Sequence, residues 1–228
     1  MPVDIKYCLP LIKPSKNEAL EAIQANDSKY SYFEVWLDYV ADVDETFVKQ
    51  LAETLQGRLV ILFRRQQLEP IKMSLEQRYA ILEQLSDSLV LVDLDVTTQT
   101  EELSYIRDHN LQLKTIVSYH NYQQTPDSVQ LKAIIDTIKG YQPSIYKLAT
   151  QCVGREDALR LLEHLLELKS QDRQVIVSGM GEFGVVSRIF GALWGNEMTF
   201  APVVKTEQSA PGQLTRSQLD NIFKELES

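Results

Sequence analysis

Short apolar runs of β-type composition alternate with longer stretches of helical periodicity along the whole chain. The runs predict strands over residues 7–12, 32–37, 59–63, 89–94, 113–118, 144–148, 174–178 and 197–200. Helices are predicted over residues 15–26, 44–56, 74–86, 99–109, 127–140, 155–170, 185–194 and 216–227. Ser15 with Glu18, and Ser74 with Gln77, have the spacing of a capping box. Gly140 stands where a helix should stop, and Pro126 and Pro143 punctuate loops. The best helical stripe is Leu159, Leu162, Leu165 and Leu166, an apolar face against a charged one.

Eight strand–helix units with near-continuous apolar strands describe an α/β chain folded as one closed parallel (β/α)8 (TIM) barrel over residues 1–228. An open, doubly wound sheet is the competing architecture. No composition break or low-complexity tract suggests a second domain. In a barrel the functional residues must lie at the carboxyl ends of the strands and in the loops that follow.

Composition narrows the partners. The net charge of −9 argues against nucleic acid or an anionic membrane, either of which needs a basic face. No apolar run approaches a membrane span and no signal-peptide pattern opens the chain, so a cytoplasmic protein is expected. Cys8 and Cys152 show no metal-ligand or redox spacing and stand in apolar contexts, which predicts free buried thiols.

The polar positions that break the apolar runs carry the chemistry. Lys147 is a charge inside a predicted strand, and His120 follows the end of the preceding one. A lysine amine and an imidazole at adjacent strand ends can form a Schiff base with a ketone and move the neighbouring proton. Taken singly, each has a plainer reading, a snorkelling lysine and a satisfied histidine. Their company favours the chemistry. Glu34, Trp36 and Asp38 alternate on one strand face, as do Asp93 and Asp95 on another. Arg64 and Arg65 follow the third strand, Ser187-Arg188 opens the seventh helix, and Ser209-Ala-Pro-Gly-Gln213 follows the eighth strand. Such a rim is costly for stability alone; a polar, anionic, hydroxylated small molecule would account for it. Gly179-Met-Gly-Glu-Phe-Gly184 matches a dinucleotide fingerprint, but falls in the seventh unit and lacks an acid about 20 residues on. Its glycines are expected instead to let backbone amides at a helix start approach an anion, with Arg188 as clamp.

These residues resemble, in order and over nearly the whole chain, the type I 3-dehydroquinate dehydratases. The resemblance rests on Glu34-x-x-x-Asp38, Phe63-Arg64, Asp93-Leu-Asp95, Ser118-Tyr-His120 with Thr125-Pro126, Lys147-Leu-Ala149, Met180-Gly181 with Ser187-Arg188, and Ser209-Ala-Pro-Gly-Gln213. It implies a (β/α)8 barrel without metal or organic cofactor, acting on 3-dehydroquinate in the shikimate pathway. It implies that Lys147 forms the Schiff base, that His120 shuttles the proton, and that Arg188, Ser209 and Gln213 hold the substrate carboxylate. Glu34 and Arg64 would meet the ring hydroxyls. A homodimer is compatible with the resemblance.

Two departures concern the hydroxyl-reading side. Trp36 stands where the family usually has arginine, and Gln66-Gln-Leu-Glu-Pro70 lacks the usual Gly-Gly turn, so Glu69 is left without an assigned role. Pro10 also replaces a small polar residue on the first strand. Freeing the Lys147 amine is expected to need burial or cationic neighbours, a part that Arg64 and Arg188 could take while also binding substrate. Two other readings stay open: a weakened paralogue that binds a metabolite of the same pathway, and another Schiff-base lyase or aldolase on the same barrel.

Overall fold

The computed structural model describes residues 4–63 and 73–227. Eight parallel strands alternate with helices: β1 Tyr7–Leu11, β2 Tyr32–Trp36, β3 Leu59–Leu62, β4 Leu91–Asp95, β5 Lys114–Asn121, β6 Ile145–Gln151, β7 Val175–Met180 and β8 Thr199–Phe200. The helices are α1 Lys16–Asn26, α2 Glu45–Leu55, α3 Leu75–Gln84, α4 Thr100–Asp108, α5 Ser128–Gly140, α6 Arg155–Lys169, α7 Gly181–Trp194 and α8 Arg216–Glu227. The strand order runs β7-β6-β5-β4-β3-β2-β1-β8, with consecutive strands paired in parallel. Side chains close the seam between β7 and β8. The Asn196 amide accepts from Val177 N at 2.8 Å and donates to Val177 O at 3.0 Å, while Glu197 N donates to Val175 O at 2.8 Å. Asn196 thus satisfies both backbone groups of Val177 at the seam. Gly191 leaves it room, since a Cβ there would sit 2.7 Å from the Asn196 amide nitrogen.

Local chemistry sets the helix starts. Ser74 and Gln77 complete a reciprocal capping box, and Asp127 and Gln130 form another. The predicted stripe on α6 is corrected. Ala158, Leu161, Leu162, Leu165 and Leu168 face the barrel, while Leu159 and Leu166 are exposed. The buried set follows the i, i+3, i+4, i+7 rule from Ala158, a phase that the abundance of leucine obscures.

Two apolar layers leave one polar level between the strands. Outward-facing residues such as Leu9, Val35, Ile61, Val92, Val117, Leu148 and Val177 pack under the helices. Inside the barrel, Cys8, Val60, Leu91, Ile116, Ile145, Ile176 and Met198 make the lower plug. One pleat higher, the same inward faces carry Glu34, Asp93, Ser118 and Lys147, all buried. Both cysteines are free and buried, and burial pushes each thiol's pKa up. Among the described residues no helix is long and apolar enough to cross a membrane.

Candidate active site

Strand register builds the site. Ser118 on β5 lies opposite Lys147 on β6, and Asp95 on β4 lies opposite Ser118. Lys147 therefore stands in the lumen above Ile145, and His120 stands one inward position above Ser118 at the rim. A pocket opens at this end, lined by Glu34, Trp36, His120, Tyr122, Lys147, Arg188, Phe200, Ser209 and Gln213 among others. The structure brings together every predicted site residue that it describes. Arg64, together with Arg65 and residues 66–70, lies outside the described residues.

Lys147 is 5% exposed, and its Nζ donates to Asp93 Oδ2 at 2.5 Å and to Glu34 Oε1 at 3.3 Å. It also lies 4.3 Å from the Phe200 ring centroid. Ser118 Oγ donates to the other Asp93 oxygen at 2.5 Å. Of the two expected means of freeing the amine, burial is present and Arg188 lines the same pocket, while Arg64 lies outside the described residues; the described groups at hydrogen-bond distance are two carboxylates. An ammonium so held costs less to bury than an isolated one, and the same carboxylates lie in reach of any proton the amine gives up.

Trp36 faces this group. Its Nε1 donates to Glu34 Oε2 at 2.9 Å, and both side chains are buried in the pocket wall. The indole, standing where the family usually has arginine, therefore lies in the pocket wall and supplies a neutral donor to Glu34. The tail of the predicted β2 face is corrected: the chain leaves the strand at Trp36 and winds into a 3-10 turn, Leu37–Tyr39, so Asp38 does not continue the alternation. Trp36 packs edge-on against Tyr39 in that turn.

At the far rim the glycine-rich junction positions Arg188. A Cβ on Gly179 would lie 2.7 Å from Gly184 Cα, so strand and helix touch backbone to backbone. Ser187 Oγ accepts from Gly179 N at 2.8 Å and donates to Gly184 O at 2.7 Å, and Arg188 Nε donates to Gly179 O at 2.8 Å. The guanidinium is thereby anchored through Nε at the pocket that Arg188 lines. Burial lowers its pKa to about 10, which still leaves it a cation at neutral pH. The expectation that the glycines present amides to an anion is corrected in part. Gly181 N donates to Pro211 O at 3.1 Å, and Gly212, with φ +81°, lies where a Cβ would meet Gly181 O at 2.4 Å. The amide at the helix start holds the loop after β8. In that loop Ser209 N donates to Gln213 Oε1 at 2.9 Å, and Gln213 Nε2 to Ser209 Oγ at 2.8 Å. Both line the pocket beside Arg188.

Sequence reasoning left several partners unassigned. Asp95 Oδ2 lies 3.0 Å from His120 Nδ1, Asp93 holds Lys147, and Phe200 lies against the lysine head. The i, i+2 spacing of the two aspartates was the available signal, because it put both on the lumen face. The other two histidines are elsewhere: His109 caps the end of α4 and is exposed, and His164 is buried within α6.

The fold and rim define an α/β-barrel protein with a buried lysine–carboxylate centre and a histidine above it. A family model, type I 3-dehydroquinase, matches residues 7–228. The 3-dehydroquinate dehydratase of Methanopyrus kandleri is 34% identical over 206 residues, covering 89% of this chain and 91% of that protein. Among solved structures, 3-dehydroquinate dehydratase from Geobacillus kaustophilus superposes with a TM-score of 0.80 at 22% identity, covering 98% of this chain and 91% of that one. The type I enzyme from Clostridium difficile gives 0.79 at 24% identity, covering 97% and 92%. The chain belongs to the type I 3-dehydroquinase family and is accordingly an enzyme of the hydro-lyase class.

Proposed function

We propose that this chain dehydrates 3-dehydroquinate to 3-dehydroshikimate, in the shikimate route to aromatic amino acids, through a Schiff base on Lys147. The observation that carries the reading is that Lys147 and His120 line one pocket with Arg188, Ser209 and Gln213 at its rim.

The resting ammonium of Lys147 gives a proton to a neighbouring carboxylate, with Asp93 and Glu34 in reach. The amine attacks the C3 ketone, and loss of water from the carbinolamine leaves a protonated imine. His120 removes the C2 proton, and the electron pair flows into the imine to give an enamine. Collapse of the enamine expels the C1 hydroxyl, which leaves as water with the proton that His120 returns. Hydrolysis of the conjugated imine releases product and restores the lysine. One water is lost overall. Arg188, a cation in a dry setting, holds the substrate carboxylate with Ser209 and Gln213, and Glu34 meets a ring hydroxyl. Arg64, assigned with Glu34 from the sequence, keeps that role as part of the proposal.

Purified protein with 3-dehydroquinate should generate the ultraviolet absorbance of a conjugated enone, and Lys147→Ala should not. Equal rates from the two would refute the proposal. The Trp36–Glu34 bond favours one second reading, a changed hydroxyl pattern in the substrate, because a neutral indole replaces a charged fork in that wall.

A further inference from the structure

The two aspartates of β4 serve two different groups. Asp93 holds Lys147, while Asp95, one pleat higher, turns its carboxylate to β5. Asp95 is 1% exposed. Its Oδ2 accepts from His120 backbone N at 2.9 Å and lies 3.0 Å from His120 Nδ1. Its Oδ1 accepts from Thr97 N at 2.9 Å, Thr98 N at 3.1 Å, Thr97 Oγ1 at 2.5 Å and Thr98 Oγ1 at 3.2 Å. Gln99 fastens the same turn, accepting from Asp95 N and returning its own N–H to Asp95 O, both at 2.9 Å. Three of the carboxylate's partners are backbone N–H groups, which can only donate. Both oxygens are thus committed as acceptors, so the hydrogen between Asp95 and the imidazole must reside on Nδ1.

We propose that Asp95, caged by Thr97 and Thr98, is the positioning residue that fixes His120 as its Nδ1–H tautomer and leaves Nε2 to exchange the substrate proton. This rests on the reading of His120 as proton shuttle. The cage also predicts what an amide would do. In D95N the two Thr backbone donors outnumber the single backbone donor of His120 and draw the amide oxygen to their side, which turns the NH2 toward His120 and gives up the bond from His120 N. That NH2 can only donate, so the imidazole must present a bare Nδ1 and carry its hydrogen on Nε2, the wrong nitrogen for a base.

The test is ¹⁵N-imidazole NMR of wild-type protein, D95N and D95E. The chain has three histidines, and the resonance missing from H120Q assigns His120. Wild type should show Nδ1–H, D95N should show Nε2–H, and D95E should restore Nδ1–H. Turnover of D95N should fall roughly 10²–10⁴-fold, with KM little changed and borohydride-trapped imine still formed, and D95E should recover part of it. A wild-type Nε2–H tautomer overturns the proposal even if no variant folds, as does D95N with an Nδ1–H ring and normal turnover. If the tautomer inverts in D95N while H120A turns over normally, the orienting role stands and the shuttle reading fails.

Discussion

In the lumen of the barrel, Lys147 Nζ donates to Asp93 Oδ2 at 2.5 Å, with Glu34 Oε1 at 3.3 Å on its other side. This buried group is set directly on the apolar plug of Ile145, Ile116 and Ile176. Such a centre adds little to stability as a whole, but losing Asp93 removes the shorter bond and leaves the buried lysine head on the longer contact to Glu34.

Asp93→Asn should therefore lower stability, by about 3 kcal/mol, the low end for breaking a buried pair because Glu34 remains. It should also slow imine formation by removing a proton acceptor next to the amine. Urea unfolding and the rate of borohydride trapping measure the two effects. An unchanged midpoint together with wild-type trapping would mean that Asp93 is a bystander.

His120→Ala should separate covalent chemistry from proton transfer. Imine should still be trapped, while steady-state turnover should drop by roughly 10²–10⁴-fold. Near-normal turnover would show that another group moves the proton; His109 and His164, placed at the exposed end of α4 and inside α6, are not positioned to do so.

Trp36 does not pack away from the site, so its effect on specificity can be tested directly. Trp36→Arg restores a charged donor beside Glu34. A charge-assisted hydrogen bond is worth about 1.5–3 kcal/mol, so kcat/KM for 3-dehydroquinate should rise roughly 10- to 150-fold. Trp36→Phe, which keeps a ring and loses the 2.9 Å bond to Glu34, should reduce it. No gain from the arginine would contradict this account of the indole. A gain only with a different hydroxyketo acid would show that the substrate has changed.

Arg188→Lys should act on binding. The lysine cannot keep both the Nε bond to Gly179 O and a forked grip on a carboxylate. KM should rise about 10- to 100-fold with a smaller change in kcat, the mark of lost uniform binding. A fall in kcat at constant KM would move Arg188 from binding into chemistry.

Much of the barrel could be read from the chain because its period-2 and 3.6-residue patterns rarely overlap. Strand starts were close, whereas β5 and β6 run on to Asn121 and Gln151. There the polar residues His120 and Gln151 end the apolar pattern before the hydrogen bonding stops. That Lys147 and His120 face one lumen followed from strand-end position, whereas Arg188 was read at the opening of the seventh helix and lies within α7, which already begins at Gly181. What each carboxylate holds did not. Asp93 and Asp95 look alike in sequence, and only the stagger between β4, β5 and β6 gives one to the lysine and the other to the histidine. The glycine motif after β7 was legible as a close approach, but its partner, Pro211 of the loop after β8, is about 30 residues distant and no local pattern announces it.

The central claim is a covalent bond at Lys147. The decisive measurement is mass spectrometry of protein treated with 3-dehydroquinate and borohydride, first intact and then as peptides. A single reduced adduct on the peptide containing Lys147, absent from Lys147→Ala, is the predicted result. Adduct on another lysine, or none from a preparation that turns the substrate over, would contradict it.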